Sequence, residues 1–207
     1  MLLHSQPDLT VVMDNVNKAH NLSAIIRSCE GVGIREIHGV SHRKTIYACQ
    51  DAAAGASKWI DLQLYHDIET VYRKLSAEGM QILAATNKPG SVDFRSIDYT
   101  LPTALVVGAE WDGISEEAIG GANHLIQIPM HGMVESLNVS VATAVILFEA
   151  ERQRELKGMY RKPQLGAERF EQMLFEMAYP RLSRELREQE RPYPELDEEG
   201  AIVGEMG

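Results

Sequence analysis

The sequence is poor in cysteine, since Cys29 and Cys49 are the only two among 207 residues. Their separation does not fit a metal site, and unpaired, reduced thiols are typical of the cytoplasm. The first ten residues, MLLHSQPDLT, lack the basic stretch and the apolar core of a secretory signal peptide. We therefore expect a cytoplasmic protein.

Long apolar runs are also absent. No run approaches the roughly 20 residues of a membrane-spanning helix, so we expect no membrane partner. The seven histidines show neither the i, i+4 pairing nor the carboxylates of a metal site, and we expect no metal. Gly31-Val32-Gly33 is too short for a dinucleotide-binding fingerprint, which argues against a nucleotide-dependent oxidoreductase.

Positive charge is scarce overall, but it is concentrated near the C-terminus. The formal net charge is −10, yet residues 151–191 hold 10 of the 20 Lys and Arg against eight acids. The last 16 residues hold five acids and no base. Because phosphate binding depends on local potential screened over about 8–10 Å, this distribution is compatible with RNA and does not establish it.

Apolar runs alternate with helical patterns along the first 130 residues. Strands are predicted at residues 9–13, 36–40, 59–64, 80–85, 104–108 and 125–128. Between them, helices are predicted at residues 23–31, from an N-cap at Asp67 to Gly79, and after an N-cap at Ser115; a small-residue segment spans 51–57. Unbroken Val, Ile and Leu strands alternating with helices indicate an α/β domain, with a mostly parallel sheet covered by helices on both faces.

The C-terminal part is predicted to be helical. A long helix from Asn138 through Glu155 ends before Gly158, with Val141, Val145 and Phe148 on one apolar face and a polar far end. After a linker, helices are predicted at residues 168–178 and 181–189, followed from 191 by an extended acidic tail. We therefore divide the chain into a main domain, residues 1–158, and a helical extension with the tail, residues 159–207.

Three segments carry the most specific signal. They read NLSAIIRSCEGVG at residues 21–33, LVVGAEWDGIS at 105–115 and IPMHGMVESLNVSVATAVILFE at 128–149. In this order they resemble the motifs of the SPOUT (SpoU-type) RNA ribose 2'-O-methyltransferases. The resemblance runs from about Asp8 to Gly200 and is strongest to the members that methylate tRNA guanosine.

The resemblance implies that S-adenosylmethionine binds beyond the carboxyl ends of the parallel strands, within a C-terminal trefoil knot. Gly108 would permit close backbone approach. Ile128 and Leu137, which without the family are more typical of a core, would flank the adenine with Met130. The implied cofactor-binding residues are Ala85, Thr86, Gly108, Ile128, Met130 and Leu137.

The first motif supplies Asn21 and Arg27 as implied catalytic residues. Arg27 would clamp the target phosphate and stabilise the developing 2'-alkoxide, because a guanidinium is a poor base; without the family it is an ordinary surface charge. A perturbed arginine or a phosphate relay as proton acceptor is the weaker possibility. Asn21 also fits the N-cap of the helix that carries Arg27.

The other two motifs supply Glu110, Ser136 and Asn138. Glu110 would orient Asn21 or Arg27 by hydrogen bonding, unless it is a simple exposed loop acid. Asn138 also fits the N-cap of the long helix, and Ser136 can instead satisfy backbone groups of its loop. The chain departs from the family at Ala109, where Asn is common.

Likeness to the tRNA enzymes in AERQRELKGMY and the later Pro-Tyr-Pro implies a tRNA partner, with guanosine 18 of the D-loop as target. Arg184 and Arg187 would join Arg27 in binding RNA, unless they only pair with glutamates along their helix.

The resemblance further implies a homodimer that uses the long helix. Methylation of another tRNA or ribosomal RNA nucleotide, or a non-catalytic RNA-binding protein on this fold, stays open. Because the stretch before Leu9 is short, we expect neither the N-terminal RNA-binding domain of ribosomal relatives nor the extra helix of the tRNA enzymes.

Overall fold

The structure is a computed structural model that describes residues 2–41, 60–197 and 199–203. The small-residue segment at 51–57 and Trp59 lie outside these ranges. The elements are β1 Leu9–Asp14, α1 Ala19–Gly31, β2 Glu36–Val40, β3 Asp61–Tyr65, α2 Ile68–Ala77, β4 Gln81–Ala85, β5 Val92–Asp93, β6 Thr103–Gly108, α3 Glu116–Gly121, β7 His124–Gln127, α4 Val139–Leu156, α5 Ala167–Ala178 and α6 Pro180–Glu188. Short 3-10 turns occupy Leu2–His4, Phe94–Ser96 and Met159–Arg161.

Within the described residues, seven strands form one sheet in the order β3-β2-β1-β6-β4-β7-β5. Every pairing in it is parallel, which confirms the predicted α/β class. From β1 the chain passes outward through β2 and β3 on one side, and all later strands, β4 to β7, lie on the other side of β1. The order therefore reverses between β1 and β6, where open parallel sheets form their ligand crevice. Asp14 and Gly108, the last residues of β1 and β6, lie opposite each other there.

Helices cover both faces of the sheet, as predicted. Along β1, Val11 and Met13 enter one core cluster, which includes Ile25 of α1 and Leu147 of α4. Val12 points to the opposite face and packs in a second cluster with residues of α2 and α3. Alternate side chains of one buried strand thus feed two cores, which explains why the strand is apolar throughout.

The predicted caps and helix ends agree with the structure. The side chain of Asp67 accepts from the backbone N–H of Thr70 at 2.7 Å, and Ser115 accepts from that of Ala118 at 3.3 Å. Helix α4 ends at Leu156, and Gly158 follows in the left-handed conformation with φ 72°. The short strand β5 was not predicted, because two residues carry no periodic signal.

The far end of α4 differs from the expected polar surface, because the Arg154 side chain is fully buried. Its guanidinium forms an ion pair of 2.5 Å with Asp8 and donates to the carbonyls of Tyr99 at 2.9 Å and Leu101 at 3.1 Å. It also donates to the side-chain oxygen of Gln6 at 3.1 Å. A buried guanidinium requires such complete pairing, so Arg154 fastens α4 to the N-terminal ends of β1 and β6.

The two predicted C-terminal helices are present as α5 and α6, which pack against each other. The acidic segment after them, predicted to be extended, contacts both helices. Tyr193 stacks on the buried Phe175 of α5 with ring centroids 4.8 Å apart, and the hydroxyl of Tyr179 donates to the carbonyl of Gly200 at 2.9 Å. Aromatic burial therefore returns the tail to the helices.

Candidate active site

Asn138 joins all three motifs in one hydrogen-bond network. Its side-chain oxygen accepts from the backbone N–H of Ser140 at 2.9 Å, which confirms its predicted role as the N-cap of α4. Its side-chain nitrogen donates to Asn21 Oδ1 at 3.1 Å and to Glu110 Oε1 at 2.6 Å. Because both the oxygen and the nitrogen of its amide have partners, the side chain of Asn138 is held in one orientation.

Glu110 lies in the turn that follows β6 and bridges two partners. One carboxylate oxygen accepts from Asn138, and the other forms an ion pair with Lys18 Nζ. The interpretation of Glu110 as a simple exposed acid is therefore wrong. Among the described residues it bonds directly to neither Asn21 nor Arg27; its link to Asn21 passes through Asn138.

Asn21 is buried, with 2% of its surface exposed, and it does not cap α1. The helix begins at Ala19 with Lys18 in the N-cap position, and no side chain caps it. The prediction of an Asn21 cap is therefore wrong by three residues. Asn21 instead lies within the first turn of α1 and accepts the hydrogen bond from Asn138, which uses its buried oxygen.

Arg27 lies farther along α1 and is exposed. Within the described part of the chain, no ion pair or hydrogen bond engages its guanidinium, so all five N–H donors face solvent or a ligand. Ser136 is also exposed in the loop between β7 and α4, and no described hydrogen bond involves its side chain. The structure thus brings Asn21, Glu110 and Asn138 together, and leaves Arg27 and Ser136 unengaged.

The predicted cofactor residues follow three adjacent strands. Ala85 ends β4 and Thr86 follows it, Gly108 ends β6, and Ile128 follows β7. These strands are neighbours in the sheet, so their carboxyl ends meet at one edge. Met130 and Leu137, in the loop that leads to Asn138, are half-buried. Ala85 and Ile128 are also half-buried and pack against the main core, so each combines core packing with partial exposure.

Gly108 is required by the chain's own backbone. A Cβ placed on it would lie 2.1 Å from the carbonyl oxygen of Gly113 and 2.4 Å from the backbone nitrogen of Ile114. The close approach that glycine permits is thus made by the turn that presents Glu110. Ala109 and Gly113 close that turn with mutual backbone hydrogen bonds of 3.0 and 2.9 Å. A cofactor contact at Gly108 stays a prediction. The space that a Cβ would occupy there is already filled by the backbone of Gly113 and Ile114.

Two protein-family models together match nearly the whole chain. The SpoU rRNA Methylase family matches residues 8–148, and the SpoU, rRNA methylase, C-terminal family matches residues 152–205. The chain belongs to the SpoU rRNA Methylase family. The tRNA (guanosine(18)-2'-O)-methyltransferase of Escherichia coli K12 is 45% identical to this family member over 204 residues, which are 98% of this chain and 89% of that protein.

Solved structures agree with this membership. The A. aeolicus TrmH/SpoU tRNA modifying enzyme superposes with a TM-score of 0.80 at 42% identity, over 86% of this chain and 91% of that one. The AdoMet-bound rRNA methyltransferase from Sinorhizobium meliloti gives a TM-score of 0.62 at 31% identity, over 72% of this chain and 60% of that one.

The two arginines predicted to bind RNA on α6 differ in their contacts. Arg184 is exposed and has no hydrogen bond or ion pair to any described residue. Arg187 donates to Glu176 Oε1 at 2.6 Å and to the hydroxyl of Tyr193 at 3.3 Å. The hydrogen bond to Tyr193 raises the pKa of Arg187, with Glu176 adding to the effect. The alternative of pairing with glutamates along α6 is therefore wrong for Arg187, whose acid lies on α5.

Sequence reasoning missed Asp14 and Lys18, which contact the motif-two segment. Asp14 Oδ2 accepts from the backbone N–H of Ser115 at 2.7 Å, and Lys18 pairs with Glu110. A signal was available: Asp14 is a carboxylate at the end of a buried strand, a position that requires a partner.

The described residues contain no group of three or more His, Cys, Asp or Glu placed to hold a metal ion. Among the described helices, none has the length and apolar character needed to cross a bilayer. Cys29 is fully buried in α1, and this burial raises the pKa of its thiol. A thiol in that environment is unreactive.

Proposed function

We propose that this protein is an S-adenosylmethionine-dependent methyltransferase that acts on the 2'-hydroxyl of guanosine 18 in tRNA. The observation that carries the proposal is the Asn21–Asn138–Glu110 network, which unites the three family motifs at the crevice between β1 and β6. The Escherichia coli relative named for this reaction is 45% identical to this protein over 98% of the chain. This similarity supports the same function here.

The site fits the cofactor in two respects. The neighbouring strand ends of β6, β4 and β7 offer partly exposed apolar side chains at Ile128, Met130 and Leu137, which suit an adenine ring. The Sinorhizobium meliloti neighbour of this fold is an AdoMet-bound enzyme. When bound, S-adenosylmethionine supplies a methyl group on a positively charged sulfur. Ala85, Thr86 and Gly108 complete the proposed pocket.

Arg27 is proposed to act on the RNA side of the transfer. Negative charge builds on the 2'-oxygen as its hydroxyl proton passes to water. This oxygen takes the methyl group from the sulfur, whose bond to the methyl carbon breaks to leave a neutral thioether. The unengaged guanidinium of Arg27 stabilises this charge and holds the adjoining phosphate with two parallel hydrogen bonds. Arg27 lies on the same helix as Asn21, which ties its position to the network.

Asn21, Glu110, Ser136 and Asn138 are proposed to orient the reacting groups. Asn138 has its amide fixed by the cap of α4 and by its two partners, so it holds the first and second motifs at a constant distance. The exposed hydroxyl of Ser136, two residues earlier, is free to meet a ligand. Such alignment is worth about 7–11 kcal/mol of an activation barrier in well-oriented systems.

The proposal includes a homodimer with the long helix α4 at its interface. Val141, Val145 and Phe148 repeat along one face of α4 and are 47%, 36% and 53% exposed in the single chain. The opposite face is buried. An apolar stripe of this kind is typical of a surface that is covered in an assembly.

Three further expectations, drawn from the sequence and from the family resemblance, belong to the proposal. They are a C-terminal trefoil knot, a catalytic domain at residues 1–158 with a helical extension at 159–207, and action in the cytoplasm. Arg184 and Arg187 on α6 are proposed to extend the RNA contact beyond Arg27.

Mass spectrometry of nuclease-digested tRNA tests the substrate. An unmodified tRNA transcript is incubated with the protein and S-adenosylmethionine, beside a transcript that carries 2'-deoxyguanosine at position 18. We expect one methyl group on guanosine 18 of the first transcript and none on the second. Methylation at an anticodon or ribosomal RNA nucleotide would correct the target, and the absence of both methylation and calorimetric binding of S-adenosylmethionine would favour a non-catalytic RNA-binding protein.

A further inference from the structure

The connection between β1 and α1, residues 14–18, contacts the segment that carries Glu110 at two points. Asp14 Oδ2 accepts from the backbone N–H of Ser115 at 2.7 Å, and Lys18 Nζ forms an ion pair with Glu110. Glu110 lies within the turn closed by Ala109 and Gly113, and Ser115 follows that turn by two residues. Residues 14–18 therefore contact the turn itself through Lys18 and the backbone just after the turn through Asp14.

The geometry of the connection makes both contacts possible. Asn15 adopts the left-handed backbone conformation, with φ 55°, which Asn tolerates better than most residues. Its backbone N–H donates to the carbonyl of Val40 at 2.9 Å, and its side chain donates to Asp14 Oδ1 at 2.8 Å. Asp14 Oδ1 is thereby occupied, and its other oxygen remains for Ser115.

We propose that Lys18 is a positioning residue for methyl transfer, which acts by holding the Glu110 carboxylate against Asn138. A carboxylate has two oxygens, and here one meets Lys18 while the other meets Asn138. Without the ammonium, Glu110 is free to rotate away from Asn138 towards water. The side chain of Lys18 is 41% exposed and that of Glu110 is 25% exposed, so solvent competes for both.

Lys18 also occupies the N-cap position of α1, and its carbonyl accepts from the backbone N–H of Leu22 at 3.1 Å. The residue that restrains Glu110 is thus the residue from which the helix of Asn21 and Arg27 begins. One lysine therefore couples the orientation of the second motif to the start of the first. This inference rests on the proposed function, since it assigns Lys18 to the same site.

Steady-state kinetics with K18M, K18R and a matched control test the proposal. K18M removes the charge and retains most of the aliphatic stem. We expect its kcat to fall about 10- to 100-fold, the range that a small misplacement of reacting groups produces, with KM for tRNA and donor little changed. K18R keeps a cation with hydrogen-bond donors and should restore most of kcat. K74M is the control, because Lys74 is 37% exposed, pairs with Glu36 and lies on α2 away from the site.

A double-mutant cycle with E110Q shows whether Lys18 acts through Glu110. If it does, K18M/E110Q transfers the methyl group at the same single-turnover rate as E110Q alone. An additional loss in the double variant equal to that of K18M alone would show that Lys18 acts elsewhere, such as on RNA phosphate, and would overturn the proposal. So would a wild-type kcat for K18M. An inactive wild-type protein would instead refute the proposed function, which the tRNA assay detects separately.

Discussion

The side-chain amide of Asn138 lies 2.6 Å from Glu110 Oε1 while the oxygen of the same amide caps α4. One residue therefore serves the fold through its oxygen and the candidate site through its nitrogen. This division allows the two roles to be separated by substitution, because only the nitrogen is lost when Asn becomes Asp.

We predict that Asn138→Asp keeps the cap and loses the network. A carboxylate still accepts from Ser140, so the cap is kept, but the buried oxygen of Asn21 loses its donor and the free energy of unfolding should fall by about 1–3 kcal/mol. The new oxygen would face the acceptors of Asn21 and Glu110, and kcat should fall about 100-fold through misalignment. Urea titration and tRNA methylation measure the two effects. Asn138→Ala, which also removes the cap, should cost about 1 kcal/mol more in stability.

The main architecture could be predicted from the sequence, because buried parallel strands and amphipathic helices have distinct periods. The capping residues Asp67, Ser115 and Asn138 were also readable, since each precedes a helix with an oxygen-bearing side chain. Arg154 could not be placed, because its sequence neighbours on α4 are charged and its partners, Asp8 and the carbonyl of Tyr99 among them, are remote in the chain. The inward orientation of one helical arginine is decided by tertiary pairing.

The sequence predicted which residues form the site, but not which hydrogen bonds join them. The motifs identify Asn21, Glu110 and Asn138 as a group, but they do not say which side chain meets which. Asn21 was assigned to a cap because it is a good capping residue in front of an apolar helix. The helix starts at Ala19 with Lys18 in the N-cap position, three residues before Asn21, and the buried amide is used by Asn138 instead. Lys18 was missed because a lysine beside a helix start is usually solvated.

We predict that Arg27→Ala abolishes methylation and leaves the affinity for S-adenosylmethionine within a few-fold of wild type. Arg27 is exposed and has no partner among the described residues, so the thermal stability should not change appreciably. Arg27→Lys should be nearly as inactive, because an ammonium does not reproduce the bidentate fork of guanidinium. Calorimetric titration with the donor and single-turnover methylation provide the two readouts; near-normal turnover by Arg27→Lys would contradict the geometric argument.

Charge reversal on α6 should separate RNA contact from local structure. Arg184→Glu removes an unengaged cation, so it should raise KM for tRNA more than it lowers kcat, and it should reduce the slope of log affinity against log salt by about 1. Arg187→Glu has the same expected kinetic effect, but it also breaks the contacts to Glu176 and Tyr193. We therefore expect increased proteolysis of the C-terminal segment in Arg187→Glu only. An unchanged salt dependence in Arg184→Glu would place the RNA elsewhere.

The dimer is testable on the exposed face of α4. Phe148→Asp places a charge in the apolar stripe, so light scattering should report twice the chain mass for the wild type and a single chain mass for the variant at micromolar concentration. Leu101→Asp is the control, since Leu101 is 50% exposed in a different part of the surface, and it should remain dimeric. A wild-type protein that is monomeric and fully active would refute the dimer.

The buried guanidinium of Arg154 should be a large contributor to stability. Arg154→Met leaves Asp8 without its cation and leaves the carbonyls of Tyr99 and Leu101 without a donor, and breaking such a buried pair costs about 3–5 kcal/mol. Arg152, two residues earlier and on the opposite side of α4, is 58% exposed and pairs with Glu149 in the same helix. Arg152→Met should therefore leave the urea midpoint nearly unchanged. Because Arg154 fixes the end of α4 opposite Asn138, the Arg154→Met protein that remains folded should still bind S-adenosylmethionine. Equal urea midpoints for Arg154→Met and Arg152→Met would show that the buried network does not hold the helix in place.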